Sequence, residues 1–114
     1  MKFTKKSLGQ NFLIDKNVIR KIINSTKING KDIIEIGPGT GALTGEILKR
    51  EPKSLSLIEK DKYLVEKLKL KYLKNKFVKI YSADILNFKL EKICKKNTTI
   101  FGNLPYNISS QILV

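Results

Sequence analysis

The sequence predicts an α/β fold built on a parallel sheet with helices on both faces. Short apolar runs, which are typical of buried strands, alternate with segments whose apolar residues recur at helical spacing. A glycine-rich loop follows the first apolar run, and an acidic residue ends each of the next two. Ligands of such folds bind at the carboxyl ends of the strands, so these loops are the first candidates for a site.

The first half of the chain predicts a helix, a strand, a loop and a second helix. Asp15 is a helix N-cap, and the apolar residues after it share one helical face to about Thr26. The run DIIEI at 32–36 is a short apolar strand with one carboxylate, and GPGTG at 37–41 is a glycine loop. The segment 42–50 then has helical spacing.

The second half repeats this alternation. The run SLSLIE at 54–59 predicts a second strand, and 61–73 predicts a helix with Asp61 near its positive end. FVKIYSAD at 77–84 and TTIFG at 98–102 predict the third and fourth strands.

The remaining segments bear on the order of the strands and on the edge of the sheet. Residues 86–97 form a basic loop or short helix, and another helix begins at Ile108. We expect the first strand at the centre of the sheet and the fourth at an unpaired edge, with the sheet incomplete at the C-terminus.

Composition excludes several classes of protein. The chain has 114 residues, which suits one small domain, and it has no histidine and one cysteine, Cys94. Histidine-dependent triads, ordinary zinc sites and internal disulfides are therefore excluded, and Cys94 is expected to be a small packing side chain in a reducing cytoplasm. No apolar run is long enough to span a membrane, and the basic N-terminus does not resemble a secretory signal.

The charge is strongly positive and has two interpretations. Lysine and arginine total 23 against 10 acidic residues, for a net charge of +13. Such a field attracts RNA phosphates. The richness in lysine, isoleucine and asparagine is also typical of an A/T-rich genome, which would say little about partners.

The glycine loop favours a nucleoside ligand without a pyrophosphate. Gly37, Gly39 and Gly41 permit tight backbone and close ligand approach. Their G-x-G-x-G spacing, with Pro38 inside, differs from the nicotinamide pattern G-x-G-x-x-G. It suits a ligand that carries an amino acid and a nucleoside, although a lone loop of this kind is often only a strand-to-helix turn.

Two carboxylates follow at the ends of the second and third strands. Glu59 lies about twenty residues after the glycine loop, where an acidic residue can accept both ribose hydroxyls; otherwise it is a solvated charge beside Lys60. Asp84 can accept a hydrogen bond from an adenine amine, or it can cap the following turn.

The stretch FGNLPYN at 101–107 suits a flat amine. Asn103 offers a side-chain oxygen, Leu104 offers a carbonyl on a turn stiffened by Pro105, and Tyr106 offers a stacking face. Two acceptors on one amine would turn its lone pair towards an activated methyl group, so positioning would supply much of the rate.

These motifs together resemble a known family. IEIGPGTGALT, SLIEKD, SAD and FGNLPYNIS, with SLGQNFLID at 7–15, are similar to motifs of the S-adenosylmethionine-dependent rRNA adenine dimethyltransferases. Within that family they favour the bacterial small-subunit (16S) enzymes linked to kasugamycin sensitivity. The resemblance implies the Rossmann-like methyltransferase fold.

The resemblance also implies roles for individual residues. Asn103 and the Leu104 carbonyl would hold the target amine in the turn that includes Pro105, and Tyr106 would stack on the flipped base. No metal is implied. The residues implied to contact S-adenosylmethionine are Asn11, Leu13, Gly37, Gly39, Glu59, Asp84 and Asn103.

The family implies dimethylation of two adjacent adenosines near the 3′ end of small-subunit rRNA, with the immature small ribosomal subunit as partner and a monomeric enzyme. Residues 1–114 would be the N-terminal part of the catalytic domain, with a basic arm at about 1–14. The family's remaining strands and C-terminal helical domain would lie outside this chain, which alone would be inactive. The alternatives are a large-subunit rRNA methyltransferase of the macrolide-resistance type and a non-catalytic RNA-binding or assembly module.

Overall fold

A five-stranded sheet forms the centre of the computed structural model, which describes residues 20–21, 23–102 and 110–113. The strands are β1 (Asp32–Ile36), β2 (Ser54–Glu59), β3 (Val78–Ser82), β4 (Thr98–Gly102) and β5 (Ser110–Leu113). The helices are α1 (Ala42–Lys49) after β1 and α2 (Lys62–Lys71) after β2, with 3₁₀ turns at Ile85–Asn87 and Leu90–Lys92 before β4. Residues 20–21 and 23–24 are also helical and belong to the predicted first helix.

The strand order is β3-β2-β1-β4-β5, and the first four strands are parallel. The prediction that β1 is central is therefore confirmed. Ile36 at the end of β1 pairs with Ile58 on one side and with Gly102 on the other, so three strands end at the same level. The strand order reverses between β1 and β4, which is where folds of this class bind ligands.

One face of the sheet is covered by both α-helices. Successive side chains of a strand point to opposite faces, so alternate residues of β1, β2 and β4 meet the helices. Leu43 and Ile47 of α1 and Leu68 of α2 are buried there. Their partners on the sheet and before it are Ile23, Ile28, Ile33, Leu55, Leu57 and Phe101.

The opposite face is covered by the connection from β3 to β4. This segment contains two 3₁₀ turns where an α-helix is usual in doubly wound folds. Cys94 is half-buried in it, as expected of a small packing side chain. The apolar residues that meet on this face are Ile34, Ile36, Ile58, Ile100, Tyr81, Ala83, Ile85, Phe88, Leu90 and Ile93.

The predicted helix from Ile108 is wrong over 110–113. Ser110–Leu113 forms β5, antiparallel to β4, with Phe101 opposite Ser110 and Thr98 opposite Leu113. The expectation that β4 has an unpaired edge is wrong for the same reason. A free edge presents a row of unpaired backbone groups, and pairing with β5 satisfies those of β4.

The bounds of three elements also differ from the prediction, and α1 ends at Lys49, one residue before its predicted end. Helix α2 ends at Lys71, because the chain turns after Tyr72, whose N–H still donates to the Leu68 carbonyl at 3.0 Å. Strand β3 covers 78–82, so Asp84 lies two residues beyond its end. Within the part of the chain that the structure describes, no helix is long and apolar enough to cross a membrane.

Candidate cofactor-binding site

The glycine loop between β1 and α1 has a backbone that other residues adopt poorly. Gly37 has φ +70° and Gly39 has φ +58°, in the left-handed region that costs an L-residue about 1–2 kcal/mol. The Gly37 N–H donates to the Ile58 carbonyl at 2.8 Å, which ties the loop to β2. A Cβ at Gly37 would meet nothing within 4 Å, so this side of the loop is open to a ligand.

Glu59 connects the glycine loop to the start of α2. Only 7% of the residue is exposed. Its Oε1 accepts the Gly39 N–H at 3.1 Å, and its Oε2 accepts the Asp61 N–H at 2.9 Å. The interpretation of Glu59 as a solvated charge is therefore wrong. Each carboxylate oxygen can accept a second hydrogen bond, so Glu59 retains acceptor capacity for ligand hydroxyls.

Asp61 positions the next loop by capping α2. Its carboxylate accepts the backbone N–H groups of Tyr63 at 2.9 Å and Leu64 at 3.2 Å. The prediction that Asp61 lies near the helix start is confirmed. The cap fixes the backbone that also presents the Asp61 N–H to Glu59.

Asp84 lies near Glu59 and caps a turn. The preceding residue, Ala83, donates its N–H to the Glu59 carbonyl at 3.0 Å, which places Asp84 beside the end of β2. Its Oδ1 accepts the Leu86 N–H at 2.9 Å, so the capping interpretation is confirmed. A carboxylate has two oxygens, so this cap leaves acceptor capacity for a ligand amine.

Glu35 is a site feature that sequence reasoning missed. It is 1% exposed in the middle of the sheet, and its Oε1 accepts the Thr44 hydroxyl of α1 at 2.5 Å. Its Oε2 has no hydrogen-bond partner among the described residues. Burial raises the pKa of Glu35 to about 7, the Thr44 hydrogen bond opposes this shift, and the charge of Glu59 adds to it. The sequence signal was a carboxylate inside an apolar strand run.

The other predicted site residues lie outside the described residues. They are Asn11, Leu13, Asn103, Leu104, Pro105 and Tyr106. The structure does show that β4 ends at Gly102 beside the end of β1, one residue before Asn103. The candidate catalytic stretch therefore begins at the carboxyl ends of the strands, where the glycine loop also lies.

Most of the lysine and arginine side chains in the described part of the chain are exposed. Ion pairs in the described ranges join Lys49 to Glu46 at 3.2 Å and Lys95 to Asp32 at 3.9 Å. The same ranges contain no group of three or more side chains that could hold a metal ion.

A family model for ribosomal RNA adenine dimethylases matches residues 1–114, which is the whole chain. The chain belongs to the ribosomal RNA adenine dimethylase family. The resemblance stated from the motifs is therefore confirmed.

Similar curated proteins are ribosomal RNA small subunit methyltransferases A. That of Pelagibacter ubique is 50% identical over 109 residues, which cover 96% of this chain and 41% of the relative. That of Maridesulfovibrio salexigens is 49% identical over 111 residues, with the same two shares. The chain thus spans about two fifths of the length of these relatives.

Solved structures confirm the methyltransferase fold. A dimethyladenosine transferase from Plasmodium falciparum superposes with a TM-score of 0.67 at 26% identity, over 80% of this chain and 32% of that one. The 23S rRNA methyltransferase ErmE gives 0.59 at 20% identity, over 81% and 48%, and shows the fold alone.

The glycine loop yields a matched pair of stability predictions. Gly37→Ala should lower the free energy of unfolding by about 1–2 kcal/mol, because alanine is strained at positive φ. Gly45→Ala should raise it by up to about 1 kcal/mol, because Gly45 lies inside α1 and a Cβ there meets nothing within 4 Å. Urea unfolding of the two variants measures both changes. Equal effects would contradict the assigned loop conformation.

Proposed function

We propose that the protein transfers methyl groups from S-adenosylmethionine to the N6 amines of two adjacent adenosines near the 3′ end of small-subunit rRNA. The observation that carries the proposal is the Glu59 carboxylate, which lies between the glycine loop and α2 at the edge of the sheet where β4 leads into Asn103. Family membership and relatives named as small-subunit methyltransferases support this choice of substrate.

The residues present fit S-adenosylmethionine. Glu59 has acceptor capacity for both ribose hydroxyls, and Asp84 has one carboxylate oxygen left for the adenine amine. Gly37 and Gly39 leave room for the amino-acid end. Asn11, Leu13 and Asn103 would complete the contacts, as the family's motifs imply. When bound, the cofactor supplies an electrophilic methyl group on a sulfonium.

The chain's own contribution to the reaction is positioning. Asn103 and the Leu104 carbonyl would accept the two hydrogens of the target amine, and Pro105 would hold the turn. Tyr106 would stack on the base after it leaves its helix. Neutral acceptors suffice because the methyl group is already activated, so orientation and electrostatics supply the rate.

The positive charge supports rRNA as the substrate. A net charge of +13 favours binding to phosphates. The partner we propose is the immature small ribosomal subunit. The proposed location of the enzyme is therefore the bacterial cytoplasm. Residues 1–114 would form the N-terminal part of the catalytic domain, with a basic arm at about 1–14.

Of the alternatives, the large-subunit type has weaker support. The 23S enzyme ErmE is 20% identical to this chain, whereas the small-subunit enzymes of Pelagibacter ubique and Maridesulfovibrio salexigens are 49–50% identical. A non-catalytic module would need neither Glu59 nor the NLPY stretch at 103–106. Calorimetric binding of S-adenosylmethionine separates that module from an enzyme.

Glu59→Ala in the full-length protein should weaken S-adenosylmethionine binding by about 10- to 100-fold, because charge-assisted hydrogen bonds are worth about 1.5–3 kcal/mol. Isothermal titration calorimetry measures the change. Glu66→Ala is the matched control, since Glu66 is exposed on α2, and should bind as the parent does. Equal affinities for Glu59→Ala and the parent would show that Glu59 does not contact the cofactor.

Asn103→Ala should lower single-turnover methylation of small-subunit particles by about 10²–10³-fold, because one positioned transition-state contact is lost. RNA binding should change far less. Near-normal turnover would reduce the NLPY stretch to a simple turn.

Tyr106 offers its own matched pair of variants. Tyr106→Ala should weaken capture of the target base, because stacking is worth about 1–3 kcal/mol. Tyr106→Phe keeps the aromatic face and should be milder, and the same particle assay compares the two. Equal losses in both would assign the effect to the hydroxyl group and contradict a stacking role.

A further inference from the structure

We propose that Glu35 is a proton-holding positioning residue next to the glycine loop: its buried carboxyl group holds a proton more readily than an exposed glutamate does, and it releases that proton when a cationic ligand binds. The inference rests on the proposed function, because the ligand is S-adenosylmethionine and its sulfonium supplies the positive charge. It assigns to Glu35 a linkage between methyl-donor binding and pH.

The contacts of Glu35 favour its neutral form. The side chain is 1% exposed, and its only described hydrogen bond is from the Thr44 hydroxyl to Oε1, at 2.5 Å. Oε2 is buried without a described partner. An ionised carboxylate is costly in such surroundings unless a donor or a cation compensates it, so burial shifts Glu35 towards the protonated acid.

No compensating cation reaches Glu35 from the described neighbouring elements. Strand β2 contributes Glu59, a like charge that raises the Glu35 pKa further, and β4 has no titratable residue. On α1, Glu46 and Lys49 pair with each other at the surface.

No charge of α2 is among the groups that shift the Glu35 pKa, although the Lys71 Nζ lies 3.9 Å from the position of a Cβ at Gly41. Asp61 caps that helix, and Lys71 lies over the ring of Tyr72, 5.5 Å from its centroid. The Glu35 pKa is therefore about 7. A positive charge bound nearby would lower it and change the ionisation of Glu35 near neutral pH.

Glu35 is close enough to the proposed site to respond. It lies two residues before Gly37, and Thr44 holds it against α1, the helix that the glycine loop begins. The carboxylate of Glu59, which we propose binds the ribose, already raises the Glu35 pKa. A positive charge at the loop would therefore favour the Glu35 carboxylate, and the released proton would pass to solvent.

The same linkage would distinguish methyl donor from product. Protonated Glu35 plus the cationic donor gives ionised Glu35, bound donor and one free proton, so charge balances. Methyl transfer converts the sulfonium into a neutral thioether. Glu35 then takes up a proton again, and the product S-adenosylhomocysteine loses the attraction that the donor had.

Calorimetry of the full-length protein at pH 6 and pH 8 tests the linkage. The bound state holds fewer protons, so affinity for S-adenosylmethionine should rise with pH through about 7, by up to about tenfold between the two values. The ligand's α-amino group itself titrates at about 7.7–8.0, so the result is the difference between the parent and Glu35→Gln. Glu35→Gln keeps an acceptor for Thr44 and should lose this rise.

Two further arms complete the calorimetric test. Glu66→Gln, on the exposed face of α2, should match the parent. S-adenosylhomocysteine should show a smaller rise than the donor in the parent protein. Titrations in two buffers of different ionisation enthalpy should show proton release at pH 6 that Glu35→Gln lacks.

The outcomes separate the inference from the proposed function. If the parent binds the donor and Glu35→Gln has the same pH dependence, the linkage is refuted and the proposed function stands. If the parent does not bind the donor at either pH, both fail. If Glu35→Gln does not fold, ¹³C NMR of the labelled parent measures the pKa of the Glu35 carboxyl group directly. A pKa near the ordinary glutamate value in the free protein overturns the inference. A pKa near 7 that falls when the donor binds supports it.

Discussion

The site depends on one buried carboxylate that holds two loops together. Glu59 accepts the N–H of Gly39 from one loop and the N–H of Asp61 from the next, at 3.1 and 2.9 Å. Each N–H would otherwise be an unpaired donor near a helix start. Glu59 and the bond from the Gly37 N–H to the Ile58 carbonyl together hold the glycine loop to β2, and β2 in turn packs against the helical face of the sheet.

The carboxyl ends of the strands carry several acidic side chains, whereas the chain as a whole is strongly basic. The protein carries a net charge of +13, yet Glu35, Glu59, Asp61 and Asp84 lie at or just below the carboxyl ends of the first three strands. The proposed methyl donor is cationic and the proposed RNA substrate is a polyanion, so the two would need local fields of opposite sign. The carboxylates at these strand ends would suit the donor and the exposed lysines would suit the phosphates, although Lys60 and Lys62 lie beside Glu59 and Asp61.

The strands and the candidate loops could be predicted because apolar runs and glycine spacing are local signals. β1, β2 and β4 have the predicted bounds. Ser110–Leu113 could not be predicted, since its apolar run fits a strand or a helix and pairing with β4 decides between them. The roles of Glu59 as a bridge and Glu35 as a buried acid were equally hidden, because burial and hydrogen-bond partners from distant segments exist only in the folded chain.

A methyl donor that binds where Glu59 joins the two loops should perturb the backbone of both loops. Amide NMR of the ¹⁵N-labelled full-length protein, titrated with S-adenosylmethionine, measures this. We expect the largest shifts at Gly37, Gly39 and Asp61, with little change at Lys79 or Lys95 near the amino ends of the strands. Shifts concentrated at those amino ends, or none at the glycine loop on saturation, would contradict this placement of the donor.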